Sequence, residues 1–334
     1  MITVDHKVTA TVIASQFDII DSEDELIEGR ALDQLDEDEF VEAVKKYNVY
    51  ARVSPEHKVR IVKALKKQGK VVAMTGDGVN DAPAVKNADI GVVMGITGTD
   101  VAKGVSDMVL TDDNFATIVA AVEEGRRIYT NIRKVIYNLL SCNLCEITSL
   151  FLATILNWRI LMPIHILWIN LVTDALPALA LGVDEATEDL MNRPPKDKSA
   201  GVFSGGLGRN IIFHGLIQTV LTMSAFYIGY INYSPEVAIT MTFATLGLIQ
   251  LVHAFNVHAQ DKSIFTVGVH NNFLIGAILI SAFLQIIVIL VPSLNTLFQT
   301  KFLKLEQWGI VVGLSLLILV AVEIDKLVRR RLKN

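Results

Sequence analysis

The stretch that decides the fold is TGDGVNDAPA at residues 75–84. It follows the apolar run KVVAM at residues 70–74, which has no polar side chain after its lysine and predicts a strand buried on both faces. Asp77 then stands just past the carboxyl end of a strand, where open α/β sheets place their ligands. Gly76 and Gly78 allow a tight turn and close approach of the backbone to an anion. The stretch therefore predicts an anion site at the edge of a sheet.

The side chains around this loop suit a phosphoryl group held by Mg²⁺. Asp81 lies four residues after Asp77, at the start of the next helix, and with a carboxylate from elsewhere the two could ligate Mg²⁺. Lys58, in the helix predicted over Pro55–Lys67, would lie across the site as a positive charge on the same phosphoryl group. A lone Gly-Asp-Gly is often only a turn, but the ten residues after a strand favour phosphoryl chemistry.

Outward from the loop, residues 1–125 alternate short apolar runs with helical stretches, which is the pattern of an α/β domain with a Rossmann-type sheet. The predicted strands are residues 49–53, 70–74, 90–94 and 108–110. The acidic stretch at residues 21–46 is interpreted as solvated surface.

The composition divides the chain into two unlike parts. Of 334 residues, 51% are hydrophobic and 19% are charged, and the mean hydropathy is +0.44. Residues 1–125 hold 13 Lys and Arg against 23 Asp and Glu, whereas residues 126–334 hold 17 against 12. The chain therefore has an acidic head followed by an apolar, mildly basic half. This composition excludes a disordered chain, a disulfide framework and a nucleic-acid binder.

Six apolar windows in the second half are long enough, or nearly so, to span a membrane, for which a helix needs about 20 residues. They are residues 135–156, 160–183, 210–231, 237–257, 273–292 and 307–324, and the last has only 16 uncharged residues. The residues 126–334 are therefore predicted to form a six-helix transmembrane domain.

The basic residues of the connections predict the orientation. With the acidic head inside, the inner connections 126–134, 184–209, 258–272 and 325–334 hold 14 Lys and Arg, and the outer connections hold 3. This bias favours a multi-pass protein of the cell membrane with both chain ends in the cytoplasm.

Polar side chains share one face in two of these windows. Asn143 and Glu146 are three residues apart in the first window, and Asn170, Thr173 and Asp174 are three and four apart in the second. A carboxylate at the centre of a bilayer costs about 2.5–3.5 kcal/mol on insertion scales, so two of them in adjacent spans point to an oxygen cage for a hard cation.

Two further residues extend this interpretation. Pro177 frees the carbonyl of residue 173, so the second span is expected to loosen there. Gln250 in the fourth window is a possible sixth ligand, although alone it is more often an interhelical hydrogen bond. His165, His214 and His253 are isolated in the sequence and are interpreted as packing or interface residues.

The motifs together resemble those of P-type cation-transporting ATPases. TGDGVNDAPA looks like the hinge signature of that family, and three further motifs look like its calcium-pump branch. These are DDNF at residues 112–115, AVEEGR at 121–126 and WINLVTDALP at 168–177. The resemblance implies only the C-terminal part of such a pump: the end of the HAD-like phosphorylation domain over residues 1–125, and the last six membrane spans.

The resemblance also implies roles for individual residues. Asp77 resembles the Mg²⁺-binding aspartate, with Asn80 and Asp81 in support, and Lys58 resembles the lysine that contacts the aspartyl phosphate. The phosphate-site and ion-ligand positions of the family also fall on Thr3, Asp5, Thr75, Gly76 and Gly78, and on Asn143, Glu146, Asn170, Thr173, Asp174 and Gln250. Gln250 replaces a glutamate of the sarcoplasmic-reticulum type, so the number of ions stays open.

The departures from the family pattern limit what the chain is expected to do alone. No Asp-Lys-Thr-Gly-Thr and no Thr-Gly-Glu-Ser occurs, and Val4 stands where the family has glycine. The leading hypothesis is the C-terminal portion of an ATP-driven calcium pump, with most of the ATP site, the actuator domain and four spans elsewhere. Its membrane part would contact lipid and the transported cation.

Two alternatives remain at this point. A non-catalytic membrane subunit, or a truncated fragment, could dock onto an intact pump or a separately encoded N-terminal half through an exposed sheet edge. A membrane-tethered phosphatase is disfavoured, since its nucleophilic aspartate is also absent. Ca²⁺ and Mn²⁺ both accept oxygen cages and are not separated by the sequence.

Overall fold

The structure is a computed structural model that describes residues 1–185, 190–196, 200–268 and 270–333. The chain divides into two compact units, Met1–Val122 and Glu123–Asn334. Parts of the predicted connections 184–209, 258–272 and 325–334 lie outside the described residues.

Parallel strands form two small sheets in the first unit. The strands are β1 (Leu26–Glu28), β2 (Val49–Ala51), β3 (Ala73–Gly76), β4 (Ile90–Met94) and β5 (Met108–Leu110). One sheet pairs β1 with β2, and Ile2 bridges to Tyr50 in the same direction. The other has the order β3-β4-β5, with Thr75 opposite Val92. The predicted α/β character of the head is confirmed.

The helices of this unit begin at recognisable sequence signals. They are α1 (Lys7–Gln16), α2 (Gly29–Leu32), α3 (Glu37–Lys46), α4 (Pro55–Lys67), α5 (Ala82–Asn87) and α6 (Asp100–Lys103). The Ser54 side chain accepts a hydrogen bond from the backbone N–H of His57, and Pro55 occupies the first helical position of α4. Asp36 and Glu39 form a capping box at the start of α3. Apolar faces of α3 and α4 then pack on the first sheet around Phe40.

Two strand predictions need correction. The strand predicted at residues 70–74 lies at Ala73–Gly76, so Asp77 follows it directly. It is not buried on both faces, because Val71 and Ala73 are exposed and β3 is an edge strand of its sheet. The strand predicted at residues 49–53 ends at Ala51, since Arg52 adopts a left-handed backbone conformation with φ 52°.

Helices make up the second unit. They are α7 (Ala116–Ile155), which begins within the first unit, α8 (Pro163–Trp168), α9 (Ala175–Gly182), α10 (Leu207–Asn232), α11 (Pro235–Ala259), α12 (Ile264–Val267), α13 (Asn272–Leu290), α14 (Pro292–Phe298) and α15 (Leu305–Lys333). A π-helical segment, Ile169–Asp174, joins α8 to α9. Helix α11 is buried along most of its length against α10, α13 and α15.

Five helical stretches of the described chain are long and apolar enough to cross a membrane: Ala116–Ile155, Pro163–Gly182, Leu207–Asn232, Pro235–Ala259 and Asn272–Leu290. The sixth predicted window, residues 307–324, lies in α15, where only residues 307–322 are free of charged side chains. The count of six spans therefore stays a prediction.

Candidate functional sites in the membrane helices and the head

The candidate ion site is built around the π-helical segment Ile169–Asp174. Pro177 removes one backbone donor and frees the carbonyl oxygen of residue 173, and the wider turn accommodates this loss. The loosening that the sequence predicted is confirmed. The segment carries Thr173 and Asp174 on its inner side, where both are buried.

Glu146 on α7 is the centre of the hydrogen bonds that join three elements. Its Oε1 accepts a hydrogen bond of 2.9 Å from the Gln250 side-chain amide on α11. Its Oε2 accepts one of 3.2 Å from the Asn170 amide. The Thr173 hydroxyl lies 2.8 Å from Gln250 Oε1 and 2.9 Å from the Ile169 carbonyl oxygen, and it can donate to one of them at a time. These contacts bring four predicted ligands together.

Asp174 is the exception in this cluster. Its side chain is 2% exposed, and within the described part of the chain no N–H or hydroxyl donates to either carboxylate oxygen, so that its side-chain donor is the weak Cys142 thiol. A buried carboxylate that has only a weak thiol donor is strongly unfavourable, so binding of a cation or a proton would stabilise it. Asp174 is thus the clearest sign of a ligand in the membrane helices.

Asn143, the remaining predicted ligand, is half-buried on α7. Among the described residues it makes no hydrogen bond to Glu146, Asn170 or Asp174. No hydrogen bond between described residues therefore supports the predicted part of Asn143 in the ion site.

The second candidate site is the loop after β3. The Lys58 ammonium lies 2.5 Å from Asp81 Oδ1, and the Gly78 backbone N–H donates to Asp81 Oδ2 over 3.3 Å. Both ends of this ion pair are largely buried. Burial alone would raise the pKa of Asp81, but the hydrogen bond and charge of Lys58 hold that pKa below its usual range.

Gly76 is required at its position by close packing. A Cβ atom there would lie 2.4 Å from the Cβ of Asp81, far inside any normal contact. The loop can therefore fold over Asp81 only with glycine at residue 76.

Asp77 presents its carboxylate to solvent. Its side chain is exposed and has no hydrogen-bond or ion-pair partner among the described residues, while its backbone carbonyl accepts a hydrogen bond of 2.9 Å from Thr99. Asn80 is also exposed, and Thr75 is half-buried in β3. The Thr3 hydroxyl donates to Asp5 over 2.6 Å, beside β2. No hydrogen bond between described residues joins Thr3 or Asp5 to Lys58, Asp77 or Asp81.

Neither site relies on a dense cluster of acids. In the described ranges, no three His, Cys, Asp or Glu side chains come together as metal ligands. A cation at Glu146 and Asp174 would therefore need amide, hydroxyl and backbone oxygens as well, which suits Ca²⁺ better than a thiolate-seeking metal.

Sequence reasoning missed an ion-pair network around Asp184, just after α9. Lys134 and His258 lie 2.6 Å and 2.7 Å from its Oδ2, and the Asn271 amide donates to its Oδ1 over 2.9 Å. Burial alone would raise the pKa of Asp184, but His258 and Lys134 hold it below its usual range. The signal in the sequence was weak, because it consisted only of Asp184 directly after the window 160–183 and Lys134 directly before the window 135–156.

The prediction that His214 is isolated was wrong, whereas His253 packs against neighbouring rings as a packing residue should. The Tyr137 hydroxyl is hydrogen-bonded to His214 Nδ1, and His214 Nε2 lies 3.4 Å from Asp325. The His253 ring stands edge-on to Tyr137, 5.4 Å between centroids. His165 is also engaged, with its Nε2 2.6 Å from the Phe298 carbonyl oxygen.

A contact in the head that the sequence did not predict joins the loop at residues 95–97 to Asp113. The Asp113 carboxylate, after β5, accepts hydrogen bonds from the backbone of Ile96 and Thr97 and from the Thr97 hydroxyl, at 2.8–2.9 Å. Desolvation alone would raise the pKa of Asp113, but these hydrogen bonds hold that pKa below its usual range.

Comparisons with known proteins match both parts of the chain. Residues 159–328 match the family described as "Cation transporting ATPase, C-terminus", and residues 1–89 match the haloacid dehalogenase-like hydrolases.

Individual relatives match along nearly the whole chain. A calcium-transporting ATPase 1 of Bacillus cereus is 48% identical over 99% of this chain and 39% of its own length. A calcium-transporting ATPase of Bacillus subtilis is 47% identical over 94% of the chain and 36% of its own. The human calcium-transporting ATPase type 2C member 1 is 38% identical over 99% of the chain and 36% of its own. The chain thus spans less than two-fifths of the length of these curated relatives.

Proposed function

The chain belongs to the family of cation-transporting ATPases, in which it matches the C-terminal region, and from this premise we propose that it supplies the membrane ion site and the Mg²⁺-binding loop of an ATP-driven calcium pump. It is a multi-pass membrane protein with a head of HAD-like fold. The observation that carries the proposal is Asp174, a buried carboxylate to which no N–H or hydroxyl of the described residues donates, beside the network centred on Glu146.

The proposed ligands of the transported cation are the six residues from the membrane helices: Asn143, Glu146, Asn170, Thr173, Asp174 and Gln250. Glu146 and Asp174 supply the two negative charges that balance a divalent ion, and the others supply neutral oxygens. In the structure the Gln250 amide donates to Glu146, so cation binding requires this amide to turn its oxygen inward. We assign the transported ion as Ca²⁺, with Mn²⁺ as the competing cargo.

The loop after β3 fits Mg²⁺ through Asp77. Its carboxylate is exposed and carries no described partner, as a ligand for Mg²⁺ with its retained waters should be. Asp81 is the second proposed ligand, although its Oδ1 is held by Lys58 in this structure. When bound, Mg²⁺ would neutralise charge on a phosphoryl group. Lys58, on α4, would add a positive charge. The site would be lined by Asn80, Thr75, Gly76 and Gly78. Thr3 and Asp5 would lie at its border.

ATP would act through residues outside this chain, since the sequence holds no Asp-Lys-Thr-Gly-Thr. A separate N-terminal half of the pump is therefore a proposed partner, and both chain ends are proposed to face the cytoplasm. The second candidate function is a non-catalytic membrane subunit, which the edge position of β3 favours.

A cation titration tests the proposal. Trp168 lies immediately before the π-helical segment and donates to Gln285 over 3.0 Å, so its fluorescence should report ligation at Asn170 and Asp174. For the purified chain in detergent, we expect a saturable change with Ca²⁺ or Mn²⁺ that Mg²⁺ does not produce. A Trp168→Phe variant should lose the change. An equal response to Mg²⁺, or none to any divalent ion, would overturn the ion-site assignment.

Phosphorylation separates the two candidate functions. The chain alone should form no acid-stable phosphoenzyme from ATP, because its sequence lacks the aspartate loop. With a co-expressed N-terminal half, a phosphoenzyme and Ca²⁺ uptake should appear if the chain completes a pump. Co-purification without either activity would favour the non-catalytic subunit.

A further inference from the structure

A basic pocket of about 440 Å³ lies in the second unit, apart from the ion site. Its walls come from helix α7, the segment after Leu190, the start of α10, the turn after α11 and helix α15. Its charged lining is strongly biased toward cations: Arg133, Lys134, Arg193, Lys196 and Arg329, against the single acid Asp261. All of these residues lie at or beyond the ends of apolar windows on the side predicted to be inner, so the pocket is placed at one membrane surface.

Two of the cations are already balanced by carboxylates. The Lys134 ammonium lies 2.6 Å from Asp184. Arg329 lies 2.9 Å from Asp325 and 3.2 Å from Asp261. These two side chains therefore shape the pocket without adding net charge that an incoming anion could neutralise.

Arg133 and Lys196 are held differently. One Arg133 Nη donates over 2.5 Å to the Ser204 carbonyl oxygen, and its Nε is buried with no hydrogen-bond partner among the described residues. The Lys196 ammonium stands 3.5 Å from the centroid of the Tyr129 ring. The Ser204 carbonyl oxygen and the Tyr129 ring are both uncharged groups, so the charges of Arg133 and Lys196 remain available to an anion.

We infer that this pocket binds a phosphate group, either on the headgroup of an anionic phospholipid or as a free phosphate. A guanidinium with an unused donor beside a lysine is the pair that recognises phosphate oxygens, with arginine giving direction and lysine giving charge. The position at the predicted inner membrane surface suits a headgroup, because basic pockets between spans at that surface collect anionic lipid. This site is independent of the proposed pump activity.

Calorimetric titration of the purified full chain in detergent tests the inference. The probes are dioctanoyl phosphatidic acid, dioctanoyl phosphatidylcholine and inorganic phosphate. Saturable binding of phosphatidic acid, without binding of phosphate alone, would support a lipid headgroup. Binding of inorganic phosphate with similar affinity would support a soluble source. Equal binding of phosphatidylcholine, or no binding of any probe, would overturn the inference.

Matched variants locate the binding. Arg133→Gln and Lys196→Gln should each weaken the binding about tenfold or more, because each removes a charged hydrogen-bond donor. Arg127→Gln is the control: Arg127 is on the same helix, pairs with Glu124 over 2.7 Å and does not line the pocket. Lys196 lies outside any helix, so its variant keeps the test valid if Arg133→Gln fails to fold. Equal loss in the Arg127 control would show that the binding follows total charge and would overturn the assignment.

Discussion

The two candidate sites treat their carboxylates in opposite ways. In the head, Asp81 is satisfied by Lys58 and by the Gly78 backbone, while Asp77 is exposed to water. In the membrane helices, Asp174 is buried and has no cationic, N–H or hydroxyl partner among the described residues, only the weak thiol of Cys142. The head loop is therefore stable without a ligand, whereas the membrane cluster is electrostatically incomplete until a cation or proton arrives.

This difference indicates at which site ligand binding can change the energy and the conformation of the protein. The head loop can bind and release Mg²⁺ with a small change in free energy, because without the metal Asp77 is hydrated and Asp81 is paired with Lys58. An incomplete cluster in a medium of low dielectric constant changes its energy greatly on binding, because no water compensates the charge. We therefore expect the membrane cluster to dominate any coupling between binding and conformation.

The largest expected effect contrasts two buried aspartates of the second unit. Asp184→Asn should destabilise the protein by about 3–5 kcal/mol, because it leaves the buried ammonium of Lys134 without its charge partner. Asp174→Asn removes an unpartnered charge and should not destabilise the metal-free protein. Thermal unfolding of both variants in detergent without divalent ions checks this contrast. Equal destabilisation by the two substitutions would break the comparison.

Glu146→Gln should weaken Ca²⁺ binding by about 100-fold, because calcium affinity follows the number of charged ligands. The carbonyl oxygen of the new side chain can accept from one of the Gln250 and Asn170 amides, and the other amide must turn its oxygen toward the new NH2 group, so folding should survive. Glu124→Gln on the same helix is the control, since Glu124 contacts only Arg127 among the described residues. Titration of the purified variants with Ca²⁺ measures the effect, and an unchanged affinity for Glu146→Gln would contradict it.

Gln250→Glu tests the same cluster by adding a carboxylate, whereas Glu146→Gln removes one. It would place a second carboxylate within 2.9 Å of Glu146 Oε1 and remove a donor, which should destabilise the metal-free protein by about 1–3 kcal/mol. Ca²⁺ should restore more stability to this variant than to the original protein. A shift in unfolding temperature with added Ca²⁺ measures the gain; identical shifts in both proteins would rule out Gln250 as a ligand.

In the head, Gly76→Ala should destabilise the loop by about 1–3 kcal/mol, since the added Cβ would overlap the Cβ of Asp81. Gly78→Ala is a matched control, because its Cβ would meet Asp81 only at 3.6 Å. Unfolding of the two variants should differ accordingly. If Gly76→Ala were as stable as Gly78→Ala, the packing of this loop over Asp81 would be misassigned.

The smallest expected effect is the pH dependence of the Lys58–Asp81 pair. Because the pKa of Asp81 is below its usual range in the folded protein, the pair stabilises the head above the ordinary pKa of a carboxyl group, about 4. That stability is lost as the pH falls through the lowered pKa. Lys58→Met should reduce the acid-induced loss when unfolding is followed as a function of pH. An identical acid profile for both proteins would exclude the pair as its source.

The sequence predicted what depends on local spacing. The position of Asp77 after a strand, the start of α4 at Pro55 and the loosening near Pro177 follow from residues within one turn or one loop. Buried carboxylates in apolar windows also pointed to Glu146 and Asp174, because their cost in lipid is independent of the fold.

Contacts between distant segments could not be predicted from the sequence. The partners of Asp184 lie 50, 74 and 87 residues away, and the rotation of each helix about its axis decides whether they meet. The same rotation brings His214 to Tyr137, 77 residues earlier, whereas spacing suggested an isolated histidine. Val71, just before β3, is exposed because β3 is an edge strand in the described sheet. The apolar run at residues 70–74 does not reveal which other segments pack against it.

Equilibrium binding of radioactive calcium to the purified chain tests the central claim most directly, because it counts the ions that the buried cluster holds. The original protein should bind Ca²⁺ saturably, Asp174→Asn should lose that binding while remaining folded, and Asp261→Asn, at an exposed carboxylate, should retain it. Calcium binding by Asp174→Asn equal to that of the original protein would contradict the claim.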